Sequence, residues 1–261
     1  MNGMEQLKVL KLVKESWMTM TLELTQFCDG SAYLSHMERI RGARGDTLPE
    51  STYLVPLMYQ AVSDKFLPWC ADIPAHPYEY KVDFEAEVGV IVDRVPIGIS
   101  VEDAGEKIRY VTIINDISLR QFCAIEIKTG FGFLQGKPHS ALGKWSIPVS
   151  ALEDEVWHDN KFHATMIVEL NGEQIGKIST SKGMHFNFAQ LIVHAAKTRE
   201  LSKGSLIGGG TVSSSNIDDG FGCLMERSIV TDNKEYLKSG DNIKMYIKEF
   251  PNHLLIEQRV A

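Results

Sequence analysis

The segment VDFEAEVGVIV, residues 82–92, constrains this chain most. Val82, Phe84, Ala86 and Val88 alternate with Asp83, Glu85 and Glu87, after which the run turns apolar. A period of two that continues into an apolar run is the pattern of a strand entering a buried sheet. Such a strand commits the chain to a layered fold with a sheet at its centre, and it places Glu85 and Glu87 on one face. Side chains two apart on a strand stand about 6.5–7 Å from each other, near enough to share one cation. An alternating acidic row is also what a solvated strand face presents, and spacing alone favours that reading.

Beyond Val92 the chain is mostly strand-like. RYVTIINDIS reads as a strand, and FHATMIVELNGEQIGKIS as a hairpin turning at Asn171-Gly172. SLIGGGTVSS, CLMERSIV and NIKMYIKEF complete a β-rich second half. Helices are expected over residues 5–18, in SAYLSHMERIRGARG with Tyr33, Met37 and Ile40 on one stripe, in VEDAGEKI, and in FNFAQLIVHAAKTREL. The polar, Pro-bearing stretches GDTLPEST and FLPWCADIPAHPYEY read as irregular loops. The class expected is α+β and β-rich.

Composition narrows the partners. A net charge of −7, with Lys and Arg scattered, leaves no basic stripe for a phosphate backbone, so nucleic acid is not an expected partner. No stretch approaches the roughly eighteen apolar residues of a membrane span. Lys8, Lys11, Lys14 and Glu15 interrupt any leader-like apolar run near the start. The four cysteines show no CxxC spacing, which fits a reducing, cytoplasmic setting.

Two further acids join the glutamates as candidates. Asp29 heads DGSAYLSH, and Asp116 ends the apolar run YVTIIND. Carboxylate ligands suit Mg²⁺, Mn²⁺ or Ca²⁺ rather than zinc or copper. Asp29 is equally good as a helix N-cap, and Asn115-Asp116 as turn chemistry. If a helix begins near Asp29, His36 returns to the same face about 10 Å along the axis, a base two turns from a ligand. A lone histidine there is more often an ordinary surface or core residue. PHSALGKW fails as a P-loop, GGGTVS as a dinucleotide fingerprint, and no GxSxG or HExxH occurs.

In their order and spacing these pieces resemble the fumarylacetoacetate hydrolase family, over roughly residues 25–250. Glu85-Ala-Glu87 and, some thirty residues on, Asn115-Asp116 are similar to its metal signature. ISLRQ with Arg120, FGFLQGKPHSALGKW with Lys137, the Asn-Gly hairpin, LSKGSLIGGGTVS and LKSGDNIKMYI come in the family's order. The resemblance implies a mixed β-sheet roll or sandwich with flanking helices over residues 25–261, preceded by a short helical segment over 1–24. It implies Asp29, Glu85, Glu87 and Asp116 as ligands of Mg²⁺ (or Mn²⁺ or Ca²⁺), with Lys137 and Arg120 offsetting a net charge of about −2. It also implies His36 as a water-activating base oriented by Glu226, Lys137 as a stabiliser of developing negative charge or a proton donor to the carbanion, and Tyr59, Arg120 and Thr211 as substrate contacts. The implied activity is hydrolysis of a C–C bond in a β-diketone or acylpyruvate, within aromatic catabolism, by a homodimer. Hydration or decarboxylation of a 2-oxo acid, or ligand binding without catalysis, are the alternatives. Ser31 and Cys123 depart from the family's tyrosine and glutamine and would line the substrate pocket.

Overall fold

The acidic strand lies at the centre of a sheet, and the rest of the chain is wound on it. The computed structural model describes residues 23–261; the helix expected over residues 5–18 lies outside them. The first half runs β1 (Gln26–Gly30), α1 (Leu34–Gly42), β2 (Met58–Gln60), β3 (Val82–Asp83), β4 (Ala86–Val92), α2 (Val101–Gly105), β5 (Ile108–Leu119), α3 (Arg120–Glu126) and β6 (His139–Leu142). The second runs β7 (Ile147–Pro148), β8 (Trp157–His158), β9 (Lys161–Phe162), β10 (Thr165–Leu170), β11 (Glu173–Ser179), α4 (Phe188–Ala195), β12 (Ser205–Thr211), α5 (Leu224–Thr231), β13 (Asn242–Ile247) and β14 (Leu255–Arg259).

The larger sheet has the order β2-β1-β12-β4-β5-β3, with β6 and β7 also paired to β5. β1 runs parallel to β12 and the other pairings are antiparallel, so the sheet is mixed. β5 gives its edges to four shorter strands in turn, and the sheet curls around it. A second, antiparallel sheet of order β11-β10-β13-β14 carries the predicted hairpin. Asn171 and Gly172 both have positive φ, 53° and 82°, as a two-residue turn matched to strand twist requires. Val88 and Val90 of β4, Met166 and Val168 of β10, Met245 of β13 and Leu191 of α4 belong to one continuous core. This is the expected α+β class, a mixed-sheet roll with flanking helices. Among the described residues no helix is long and apolar enough to cross a membrane.

The opposite face of the larger sheet positions the site. A smaller cluster there joins Phe27, Ile91, Ile114, Leu142 and Leu206. Because side chains on a strand repeat every two residues, Asp29 lies on the face of Phe27, Asp116 on that of Ile114, and Glu87 on that of Ile91. The carboxylates thus continue an apolar floor and are buried with it. A solvated acidic face is ruled out for β4, whose seven residues are all buried.

Four local expectations change. Asp29 does not begin a helix: it pairs in β1 opposite Gly208, and α1 starts five residues later with Tyr33 at its N-cap. Asn115-Asp116 is not a turn, because β5 continues to Leu119 and pairs with β3 and β6. The helix in FNFAQLIVHAAKTREL stops at Ala195, and Leu201 instead bridges Val95. CLMERSIV is helix α5, not a strand. Its free N-terminal N–H groups are met from far away, Leu224 and Met225 donating to the Asp83 carboxylate at 2.8 and 3.0 Å. A cap supplied by a residue 141 positions earlier leaves no local sequence signal.

Candidate active site

Three of the four predicted carboxylates come from three strands of one sheet. Asp29 on β1, Glu87 on β4 and Asp116 on β5 have ligand oxygens within 4.8 Å of one another. β12 runs between β1 and β4, and its Gly208 leaves the space they need. A methyl group added at Gly208 would stand 2.2 Å from Asp29 Oδ1. Burying an unpaired carboxylate costs of the order of several kcal/mol, so such a cluster is held only with protons or a cation. Asp29 is pushed up to about 8 by burial, then by the charge of Asp116. Burial and the charges of Asp29 and Asp116 raise Glu87 well above the usual range. Asp29 Oδ1 and both oxygens of Glu87 are buried and accept no hydrogen bond. Buried, undonated oxygens of this hard type fit Mg²⁺, Mn²⁺ or Ca²⁺.

Asp116 is the anchored member. It accepts from Ser140 Oγ and from the Tyr59 hydroxyl, each at 2.7 Å, and Lys137 Nζ lies 2.6 Å from it. Tyr59 reaches it because β2 places Tyr59 opposite Asp29.

Glu85 stands apart from the trio, in the break between β3 and β4. Its Oε1 meets Arg120 at 2.7 Å and its Oε2 accepts from Lys137. Burial opposes its ionisation, but Lys137 and Arg120 outweigh burial and hold it below the usual range. Arg120 also grips Asp83, its Nε 2.8 Å from Oδ2. Lys137 is held in place through its loop: the Glu126 carboxylate accepts backbone N–H groups from Leu134, Gln135 and Gly136.

The second pair is also formed. His36 Nδ1 lies 3.0 Å from Glu226 Oε1, with Glu226 wholly buried. Burial works against a charged Glu226, but hydrogen bonds from His36 and Ser213 and the charge of Arg39 lower its pKa overall. An ionised carboxylate only accepts, so His36 Nδ1 carries the proton of this hydrogen bond and Nε2 faces away from Glu226.

A cavity of about 470 Å³ gathers these groups. Asp29, Glu85, Glu87 and Lys137 line its acidic end, and His36, Tyr59, Arg120 and Thr211 border the same space. Ser31 and Cys123 line it too, as the departures from the family pattern implied. Thr211 pairs with Glu87 across β12 and β4. Sequence reasoning missed Gly208, Asp83, Arg39 and Ser213 as supports. Asp83 shares the period of Glu85 and Glu87 and had a signal; the other three had none.

A curled mixed sheet thus carries a buried carboxylate cluster, two members of which border the same cavity as His36 of the His36–Glu226 pair. The family model described as fumarylacetoacetate (FAA) hydrolase C-terminal matches residues 25–255, and the chain belongs to that family. A fumarylacetoacetate hydrolase domain-containing protein 2 homolog of Dictyostelium discoideum is 29% identical over 175 residues, 65% of this chain and 52% of the relative. The chain thus spans about half the length of that relative. Fumarylpyruvate hydrolase from Pseudomonas aeruginosa, solved with Mn²⁺ and pyruvate, superimposes with TM-score 0.68 at 16% identity, covering 91% of this chain and 90% of that one. A 5-carboxymethyl-2-hydroxymuconate delta-isomerase from Mycobacterium smegmatis gives 0.63 at 18%, covering 91% and 79%. At these identities the two structures speak for the fold. The fold is thus shared by a hydrolase and an isomerase.

Proposed function

We propose that this protein hydrolyses a C–C bond in a β-diketone or acylpyruvate-type small molecule. The observation that carries the reading is that His36, paired with Glu226, borders the same cavity as Asp29 and Glu87 of the carboxylate trio. Asp29, Glu87 and Asp116 would hold a divalent cation, with Glu85 as a further oxygen beside them. When bound, such an ion supplies Lewis-acid polarisation of a substrate carbonyl and stabilises enolate charge. His36 Nε2 takes a proton from water, and the hydroxide oxygen bonds to the acyl carbon while the adjacent C–C bond breaks. The electron pair leaves on the departing carbon as an enolate, a proton from the Lys137 ammonium completes the ketone, and the proton held by His36 returns to Lys137 through solvent. Glu226 holds the imidazole in the required tautomer, and Arg120, Tyr59 and Thr211 orient the substrate. The fumarylpyruvate hydrolase neighbour with Mn²⁺ and pyruvate supports this chemistry.

The test is the loss of enol absorbance from fumarylacetoacetate and short acylpyruvates, with Mg²⁺ or Mn²⁺ and with chelator. Metal-dependent decay yielding two fragments is expected. The isomerase neighbour favours a second reading, since the same base and enolate stabilisation move a proton between carbons without water. An absorbance change without fragments would select it.

Gly208→Ala tests the trio independently of turnover. The added methyl displaces the Asp29 carboxylate, so Mn²⁺ affinity measured by calorimetry is expected to fall about tenfold or more, with a destabilisation of about 1–3 kcal/mol. Wild-type affinity in this variant would remove Asp29 from the ligand set.

A further inference from the structure

Arg39 lies one helical turn beyond His36 on α1, and its guanidinium turns back to the partner of that histidine. Nη1 lies 3.4 Å from Glu226 Oε2 and 3.2 Å from Ser213 Oγ, and Nη2 donates to the backbone oxygen of Ser214. Ser213 Oγ donates to Glu226 Oε1 at 2.7 Å and accepts from Ser35 Oγ at 2.9 Å. A hydroxyl has one proton and two lone pairs, so Ser213 is fully used and the direction of every bond in this cluster is fixed. Glu226 therefore has His36 and Ser213 on one oxygen and Arg39 on the other.

We propose that Arg39 is a positioning residue that keeps the base unprotonated, by sharing the buried charge of Glu226 so that His36 need not become cationic to neutralise it. This rests on the reading of His36 as the base. Two effects act in the same direction. Arg39 offsets the carboxylate that would otherwise favour an imidazolium, and its own charge repels one. The titratable groups around the pair come from several elements. Cys223 Sγ, at the N-cap of α5, lies within 4.8 Å of the His36 and Glu226 ligand atoms. The charge of Glu85 and that of His36 act on each other. Arg41, Arg44 and Asp46, further along the chain from His36, line the same cavity, as do Asp29, Glu87, Arg120 and Lys137. Of the arginines, Arg39 is the one hydrogen-bonded to the Glu226 carboxylate among the described residues. Without it the pair takes up its proton at higher pH, whichever partner holds the proton.

The experiment compares wild type with Arg39→Gln, which keeps a donor but no charge, and Arg39→Lys, which keeps the charge without the fork. Arg39→Met, with an apolar stem of similar reach, serves if the glutamine variant does not fold. The His36 ring is titrated by NMR in the Mg²⁺-loaded protein, and kcat/KM on the best acylpyruvate is followed against pH. For Arg39→Gln, both the ring titration and the acid limb of kcat/KM are expected to move up by about one pH unit or more. Activity should fall about tenfold below the limb and approach wild type above it, and Arg39→Lys should restore the profile. A uniform loss at every pH, with the ring titration unmoved, would mean that Arg39 only tethers α1 to the loop after β12, and the proposal fails. A moved titration in a protein that cleaves no diketone would uphold the role of Arg39 and overturn hydrolysis.

Discussion

Replacing His36 with alanine is expected to lower kcat on the best acylpyruvate about a hundred- to ten-thousand-fold, the range of a lost general base. Mn²⁺ affinity should stay within about twofold of wild type, because no hydrogen bond joins His36 to Asp29, Glu87 or Asp116. The separation has a structural basis. The trio is held by strands β1, β4 and β5, whereas His36 rides on α1 and is oriented by Glu226 of α5. Cutting the imidazole from α1 leaves the sheet pairing untouched. The Glu226→Gln variant should lie between wild type and His36→Ala, since an amide oxygen still accepts from Nδ1 but carries no charge for an imidazolium. Calorimetric titration with Mn²⁺ beside steady-state turnover separates the two effects. Normal turnover without His36 would remove the base from the mechanism. Lost metal binding would show that the two halves of the cavity are coupled through the fold.

Glu85, Glu87 and Asp116 can be singled out in the sequence because they lie in or beside strand-like runs, where period two reports which side chains share a face. The β-character of those runs is unmistakable, and the Asn171-Gly172 turn marked the hairpin. The pairing of His36 with Glu226, both on helices, is reached only through the family resemblance. Where local pattern misled, a distant partner had decided the outcome. DGSAYLSH reads as a capped helix, yet parallel pairing with Ser205–Gly208 draws Asp29 into a strand. CLMERSIV reads as a strand, yet Asp83 caps it as a helix and so aims Glu226 at His36. Burial was equally hidden: alternation cannot separate a solvated acidic row from a cluster sealed under other strands. The division of the four carboxylates into a trio and a Glu85 engaged by Lys137 and Arg120 depends on the loop after α3, which the Glu126 carboxylate folds.

Stability should respond to metal more at alkaline than at acid pH. In the chelated protein Asp29 holds its proton up to about 8, against about 3.9 in the unfolded chain. Between these values the folded state carries a proton that the unfolded state has released, so stability falls as pH rises. The contribution is complete below about pH 4 and lost as pH climbs through about 8. Glu87, raised well above its usual range, acts in the same direction. Glu85 is lowered, so its contribution is lost only in acid and leaves this window alone. A divalent cation held by the trio would take the place of these protons, so metal affinity should rise about ten- to a hundredfold per pH unit between roughly pH 5 and 8, for one or two protons released. Thermal unfolding with chelator or with millimolar Mg²⁺ at both ends of the window reads this directly. Glu87→Gln then divides the cost of the cluster from its use. It removes a buried carboxyl that accepts no hydrogen bond, so at the alkaline end the variant should be more stable than chelated wild type. It should also cease to respond to Mg²⁺. A variant that unfolds more readily than chelated wild type would mean that Glu87 supports the fold. The opposite result would mean that the sheet carries this acid at a loss of stability, which a bound cation offsets.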